Sequence, residues 1–413
     1  MSKQGEGTAM YGTANGQGSN SAAVRQFNER MVLSTLRRLG EASKADLARS
    51  VNLTQNAAGQ IVRELESQKL ICLAGKRTGL RGQPATLLRL DPRGAYSIGV
   101  KLGRRSLDAL LVDFSGRVLL ARRQECAFPL PDRALEMLLE DIAILRAHIP
   151  PAERGRLMGI GLALPYDLGS WRRELDIPPE TCAAWIGFDL GARLRERLDV
   201  PVLVENDGTA VAIAELFQGH GRELDDFACI FIGTAIGGGL VLSGSYRRGA
   251  QANAGDIGLM PVSPSRLSTA PQPSGVFDIL LNRASISTLI RHLVEAGGET
   301  ITDTASMEAA MLRQPALLEE WLDDCTDALI APLLSIGTLL DLQAIVLDGN
   351  LPRPLIETMV ERQRDLLAVA AAEARRPPEL RIGRVGRNAA ALGAAILPLH
   401  NSYAPDQQLL FGA

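Results

Sequence analysis

Histidine, cysteine and aromatic residues are scarce in this chain of 413 residues: four His, five Cys, and 4% Phe, Trp and Tyr together. The five cysteines, Cys72, Cys126, Cys182, Cys229 and Cys325, stand singly, with no Cys-x-x-Cys pair and no His/Cys cluster. That pattern speaks against a disulfide framework and a zinc centre. No metal and no cofactor is expected. No apolar run reaches the ~18 residues that a membrane span needs. The first 22 residues are rich in Gly, Ser, Asn and Gln and lack the apolar stretch of a secretory leader. They are expected to form a disordered tail, and the protein is expected to be cytoplasmic.

Charge is present in both signs but unevenly placed. Residues 1–96 hold 14 Lys and Arg against 7 Asp and Glu, while the whole chain carries a net charge of −3, so the acidic excess lies in the remainder. A basic head on an acidic body suggests nucleic acid at one end. A solvated face that happens to be basic would give the same count.

The head has its own pattern. Val24 to Leu39 places apolar residues at near-helical spacing and stops at Gly40. Ser43 is placed to cap a short helix, Lys44 to Ser50, and Thr54 to cap a third that runs to about Gln68 with Ala58, Ile61, Val62 and Leu65 inward. Leu70 to Ala74 and Thr86 to Leu90 read as strands around a Gly- and Arg-rich loop. This order predicts a winged helix-turn-helix over residues 23–92, ended by the turn Asp91-Pro92-Arg93-Gly94. The first turn of a recognition helix reads base edges with long polar side chains. Thr54, Gln55 and Asn56, then Gln60 and Arg63, are the candidates, with Lys76, Arg77 and Arg81 in the wing. The core Arg81-Gly82-Gln83-Pro84 is similar to the Arg-Gly-Arg-Pro element that enters a narrow A·T minor groove. Gly59, costly in a helix interior, either lets the helix approach a phosphate backbone or carries no meaning.

Beyond residue 93 the pattern becomes layered α/β. Tyr96 to Leu102, Leu107 to Asp113 and Val118 to Gln124 read as an antiparallel meander. Helices and strands then alternate, with predicted strands at Leu157 to Ala163, Val202 to Val204, Phe227 to Ile232, Leu240 to Ser243, Ala344 to Leu347 and Leu380 to Ile382. The glycine run from Gly233 to Gly239 reads as a loop turning into a strand. No repeat of fixed period is visible.

Three segments carry a family likeness: Val204-Glu205-Asn206-Asp207, Ile232 through Gly239, and Gly249 through Gly258. In order and spacing they resemble the ROK family (repressors, open reading frames and kinases), in particular its branch of xylose- and N-acetylglucosamine-type repressors. The likeness spans about Val24 to His400. It implies two actin- or hexokinase-like α/β lobes around a cleft, over residues 93–413, and a homodimer or homotetramer. It also implies that Asn206 and Asp207 bond sugar hydroxyls, Asp207 standing where a kinase keeps its general base. A turn and helix cap is the competing reading of that pair. Gly237 and Gly238 are either sugar-facing backbone or plain packing glycines, and Asp256 is either a ligand contact or a surface turn.

The departures from the family matter as much. Its kinases place Asp-x-Gly-Gly-Thr in the first hairpin to hold Mg²⁺ and ATP. Here that stretch is Lys101-Leu102-Gly103-Arg104-Arg105, which implies that phosphoryl transfer is lost. Leu259 replaces the family's sugar- and zinc-binding histidine. Val276 and Asp278 align with its Cys-x-Glu, which leaves Asp278 as a ligand candidate. The expected function is a DNA-binding regulator, a repressor of carbohydrate genes, with a double-stranded operator and a small carbohydrate effector as partners. An active kinase with an added head, or a constitutive DNA-binding protein whose body only dimerises, are the alternatives.

Overall fold

The computed structural model describes residues 21–77, 85–169, 175, 177–273, 275–371 and 376–405. The expected tail up to residue 20, and the wing core with Arg81, lie outside the described residues.

The head comprises α1 (Ser21–Leu39), β1 (Ala42–Ser43), α2 (Lys44–Ser50), α3 (Gln55–Ser67), β2 (Ile71–Arg77) and β3 (Ala85–Leu90). Both sequence-assigned caps are formed. Ser43 Oγ accepts from the Asp46 amide at 3.2 Å, in a capping box completed by Asp46. Thr54 Oγ1 accepts from the Ala57 amide at 3.2 Å. Ala58, Ile61, Val62 and Leu65 are buried, as the spacing predicts. The three strands form one small sheet in the order β1-β3-β2.

The first lobe contains β4 (Tyr96–Leu102), β5 (Ser106–Asp113), β6 (Val118–Glu125), α4 (Pro131–His148), β7 (Leu157–Leu164), α5 (Pro179–Trp185), α6 (Leu190–Arg197), β8 (Val202–Asn206) and α7 (Asp207–Gln218). The second contains β9 (Phe227–Ile232), β10 (Ile236–Leu242), β11 (Ser245–Arg247), β12 (Pro261–Val262), β13 (Asp278–Ile279), α8 (Leu281–Ala284), α9 (Ile286–Glu295), α10 (Thr304–Arg313), α11 (Pro315–Leu340), β14 (Ala344–Gly349), α12 (Arg353–Ala370) and β15 (Leu380–Ile382). The last described helix, α13 (Ala389–Tyr403), returns to pack on β4 and β7 and on α7.

The two large sheets share one plan. Their orders are β6-β5-β4-β7-β8 and β11-β10-β9-β14-β15. In each, three antiparallel strands lead into two parallel ones. The sequence shows no repeat because the likeness lies in strand order, which unrelated apolar residues satisfy equally well.

The glycine run departs from its expected loop. Gly237, Gly238 and Gly239 lie inside β10, paired with Phe231, Ile230 and Cys229 of β9. Only Gly233 to Ala235 form the turn. Close approach is the physical reason. A Cβ on Gly239 would stand 2.7 Å from Ala212 Cβ, and one on Gly208 would collide with the Gly238 carbonyl, so the first turn of α7 rests directly on the β10 backbone.

Head and body are not separate globules. One apolar core runs from Val32, Leu36 and Leu47 of the head through Phe114 to Val211 and Leu399 of the body.

In the second lobe, a buried ion pair fastens the Pro- and Ser-rich segment after β12. Arg283 Nη2 and Nε reach the Asp324 carboxylate at 2.7 and 3.1 Å, both side chains almost fully buried. Ser265 Oγ and the Arg266 amide donate to the same carboxylate at 2.8 and 3.1 Å. Removing one partner strands the other charge, which costs about 3–5 kcal/mol, whereas replacing both with apolar residues is far milder. Arg283→Met should lower the stability read from urea unfolding by that amount, and adding Asp324→Leu should restore most of it.

Candidate functional site

A cleft of about 630 Å³ is lined by both lobes. Its residues sit at or just beyond the carboxyl ends of strands from both sheets: Lys101 in β4, Asn206 and Asp207 where β8 gives way to α7, Gly233 after β9 and Asn350 after β14. Open α/β sheets bind ligands at this end, where loops splay and helix N-termini point inward. Asn206, Asp207, Gly237, Gly238 and Asp256, named from the sequence, all line it.

Asn206 is both a cap and a cleft residue. Its Oδ1 accepts from the Gly208 and Thr209 amides at 2.8 and 3.2 Å, closing the N-terminus of α7. Its Nδ2 donates to Asn253 Oδ1 at 3.3 Å, and Asn253 Nδ2 donates to Asp256 Oδ2 at 2.8 Å. A polar relay thus joins the two lobes. Asn253 was not singled out from the sequence, although it lies within Gly249 through Gly258. An amide three residues before an acid was the available signal.

Asp207 is the first residue of α7. Loss of water drives its carboxyl above the ordinary carboxylate range, against the opposing pull of Lys101 and Arg104. Arg104 is itself almost fully buried. Its Nη1 and Nη2 donate to the Leu168 and Asp167 carbonyls at 3.1 and 2.9 Å, and its guanidinium stands 5.6 Å from the centre of the Phe128 ring. Burial lowers its pKa. Arg105 turns the other way and donates to the Thr302 carbonyl of the second lobe at 3.4 Å.

Asp278 lies elsewhere. It is buried in the β12–β13 pair opposite Val262, where its Oδ1 accepts from Asn282 Nδ2 at 2.7 Å and from the Ile279 amide at 2.8 Å. It does not line the cleft, so its assignment to the ligand is withdrawn. Strand pairing turns its carboxylate into the lobe.

In the head, Gln55, Asn56, Gln60 and Arg63 are exposed. Asn56, Gln60 and Arg63 share one face at i, i+4, i+7, opposite the buried stripe. Thr54 is exposed but spends its hydroxyl on the cap. Lys76 and Arg77 are exposed at the end of β2, and Arg77 is paired with Asp46. A Cβ on Gly59 would meet only Arg63 Nη1, at 3.7 Å, so packing does not demand glycine there.

An acid whose folded pKa is raised loses stability as pH climbs from its unfolded value toward its folded one. The stability of Asp207→Asn relative to wild type should therefore improve as pH rises from about 4 toward neutrality. Urea titrations at several pH values check this, and a constant difference would contradict the upward shift of the Asp207 carboxyl.

Comparison with known proteins agrees with this architecture. The profile of the ROK family matches residues 97–401. The DNA-binding transcriptional dual regulator NagC of Escherichia coli is 25% identical over 283 residues, 67% of this chain and 68% of that protein. The xylose repressor of Bacillus subtilis is 23% identical over 239 residues, 58% of this chain and 61% of that one. Among solved structures, a ROK family transcriptional regulator, a homologue of the E. coli MLC protein, superposes with a TM-score of 0.64 at 22% identity, covering 92% of this chain and 98% of its own. A ROK family glucokinase from Streptomyces griseus with glucose and AMPPNP gives 0.58 at 21% identity, over 73% of this chain and 99% of its own. At such identity the likeness is one of fold. With its family profile spanning most of the chain, and its paired sheets closing on a cleft, this protein belongs to the ROK family.

Proposed function

We propose that this protein is a sugar-responsive transcriptional repressor. The observation that carries this reading is the fusion of an exposed polar helix face in the head to a two-lobed cleft with a polar floor. In this reading the head is a winged helix-turn-helix over residues 23–92, with β2 and β3 as the sides of the wing. The face of α3 that carries Asn56, Gln60 and Arg63, together with Gln55 at its start, enters the major groove. Lys76 and Arg81 serve the backbone and minor groove, and Arg77 joins them if its pairing to Asp46 opens. A homodimer or homotetramer would match the two-fold symmetry of operators read by such heads.

The effector is a small carbohydrate. Asp207, Asp256 and the amides of Asn206 and Asn253 supply the acceptors and donors that hydroxyl groups require. The ligand regulates by binding one lobe arrangement better than another. By the family resemblance, Lys101 and Arg104 take the positions where its kinases keep a metal-binding carboxylate and an open glycine backbone. This supports a binding function over catalysis.

Two experiments test the two halves. Gln55→Ala and Asn56→Ala should each cost about 1–3 kcal/mol on a selected operator while sparing non-specific DNA, in titrations at fixed salt. Equal affinity of both variants and wild type would remove α3 from the readout. For the cleft, a calorimetric screen of sugars and sugar phosphates should yield a ligand that loses about 1 kcal/mol or more in Asp207→Ala. The same protein with ATP, Mg²⁺ and that ligand should release no ADP above background. Absence of any carbohydrate binding at millimolar concentration would leave the body as a dimerising scaffold.

A further inference from the structure

A second cavity, of about 590 Å³, lies where α1 meets the body, and it shares no lining residue with the cleft. Its charge is one-sided. Arg37, Arg38, Arg222 and Arg247 line it, against Asp225 as the one lining carboxylate among the described residues. Arg38 reaches Asp225 at 3.4 Å and donates through Nε to the Arg222 carbonyl at 3.3 Å. Arg37 is in a different position. Its guanidinium is held between the Phe114 and Phe217 rings, 5.4 and 5.7 Å from their centres, and its Nη2 is shut off from water with no hydrogen-bond partner.

A cation shielded by aromatic rings gains from their faces, but that gain is smaller than an ion pair's. Burial lowers the Arg37 pKa to about 10, and the opposing pull comes from the Tyr403 phenol rather than from a carboxylate. Among the described residues, then, this guanidinium has no acid to answer it. The rest of the wall mixes apolar and aromatic side chains, Phe27, Met31 and Phe217 among them, with the hydroxyls of Ser34, Ser243 and Ser245, and His400 stands edge-on to Phe217. Such a mix of convergent charge and apolar wall, at this volume, is that of a small-molecule site.

We propose that this cavity binds a small, multiply charged anion, a phosphate ester or a polycarboxylate, and that the bound anion clamps the head to the body. Arg37 and Arg38 belong to the head; Arg222 and Arg247 belong to the body. An anion bridging the two pairs binds the docked head better than a displaced one, and so shifts the population toward docking. The site stands apart from the proposed sugar cleft, and neither depends on the other for its residues.

The test uses the full chain, with pyrophosphate and citrate as separate probes in low-salt calorimetry. At least one should bind saturably. Arg222→Ala and Arg247→Ala, both at the rim, should each weaken it about tenfold, the loss expected for one charge-assisted contact. Arg37→Met should abolish it, with circular dichroism to check folding. Hydrogen exchange in residues 21–39 should slow when the anion binds. A preference for pyrophosphate assigns a phosphate ester, and a preference for citrate assigns a polycarboxylate. No binding by either probe at about 10 mM overturns the proposal, as does wild-type affinity in both rim variants. Loss of binding in Lys101→Met rather than in the rim variants places the anion in the cleft and overturns it equally. Binding without slowed exchange in α1 overturns the clamp.

Discussion

Everything in the body hangs on the close contact of α7 with α13. A Cβ on Gly393 of α13 would collide with the Ala210 carbonyl of α7, so the two helices touch backbone to backbone. Each also lies against a sheet: α13 on β4 and β7, and α7 on β9 and β10. The alanine-rich face of α13, Ala389 to Ala395, fills this space with no side chain longer than leucine. Dispersion falls off steeply with separation, so small residues at a close crossing pack as firmly as large ones at a distant one. The pair fixes both sheets relative to one another and therefore fixes the cleft between them.

The position of α7 also links the two cavities. Its first turn carries Asp207 and is capped by Asn206 in the cleft, while Leu216 and Phe217 near its other end line the cavity under the head. Twelve helical residues span about 18 Å. A packed helix moves as a unit, so a small displacement at Asp207 would be felt at the ring that supports Arg37. The helix is one contiguous packed element bordering both cavities.

The head was largely legible in the sequence. The caps at Ser43 and Thr54, and the stripe from Ala58 to Leu65, depend on residues a few positions apart, and local spacing determines them. Most strands of the body were legible for the same reason. The glycines of β10 were misread because their need arises from α7, whose approach no local pattern records. Asp278 was misplaced because alignment fixes a residue's order but not the face of its strand. The Asn206–Asn253–Asp256 relay was half visible: its ends were named, and its middle required the fold to bring residues 206 and 253 together. The Arg37 cavity left no trace in the sequence, since its arginines come from three separate stretches of chain.

The junction of α1 with the last described helix has a consequence for the order of events in synthesis. Arg30 Nη1 donates to the Ala404 carbonyl at 3.1 Å, a contact between residues 374 positions apart, and the Phe114 ring meets Tyr403 at 4.8 Å. The head emerges from the ribosome first, and its helices and hairpin can form from local contacts. Part of its seat, at Ala404, is translated long after it. At about 5–20 residues per second, a folded head would wait tens of seconds for that seat. During this interval Arg30 of α1 lacks the carbonyl it meets in the finished chain. In synthesis, then, the head can fold before the contact that ties Arg30 to residue 404 can form.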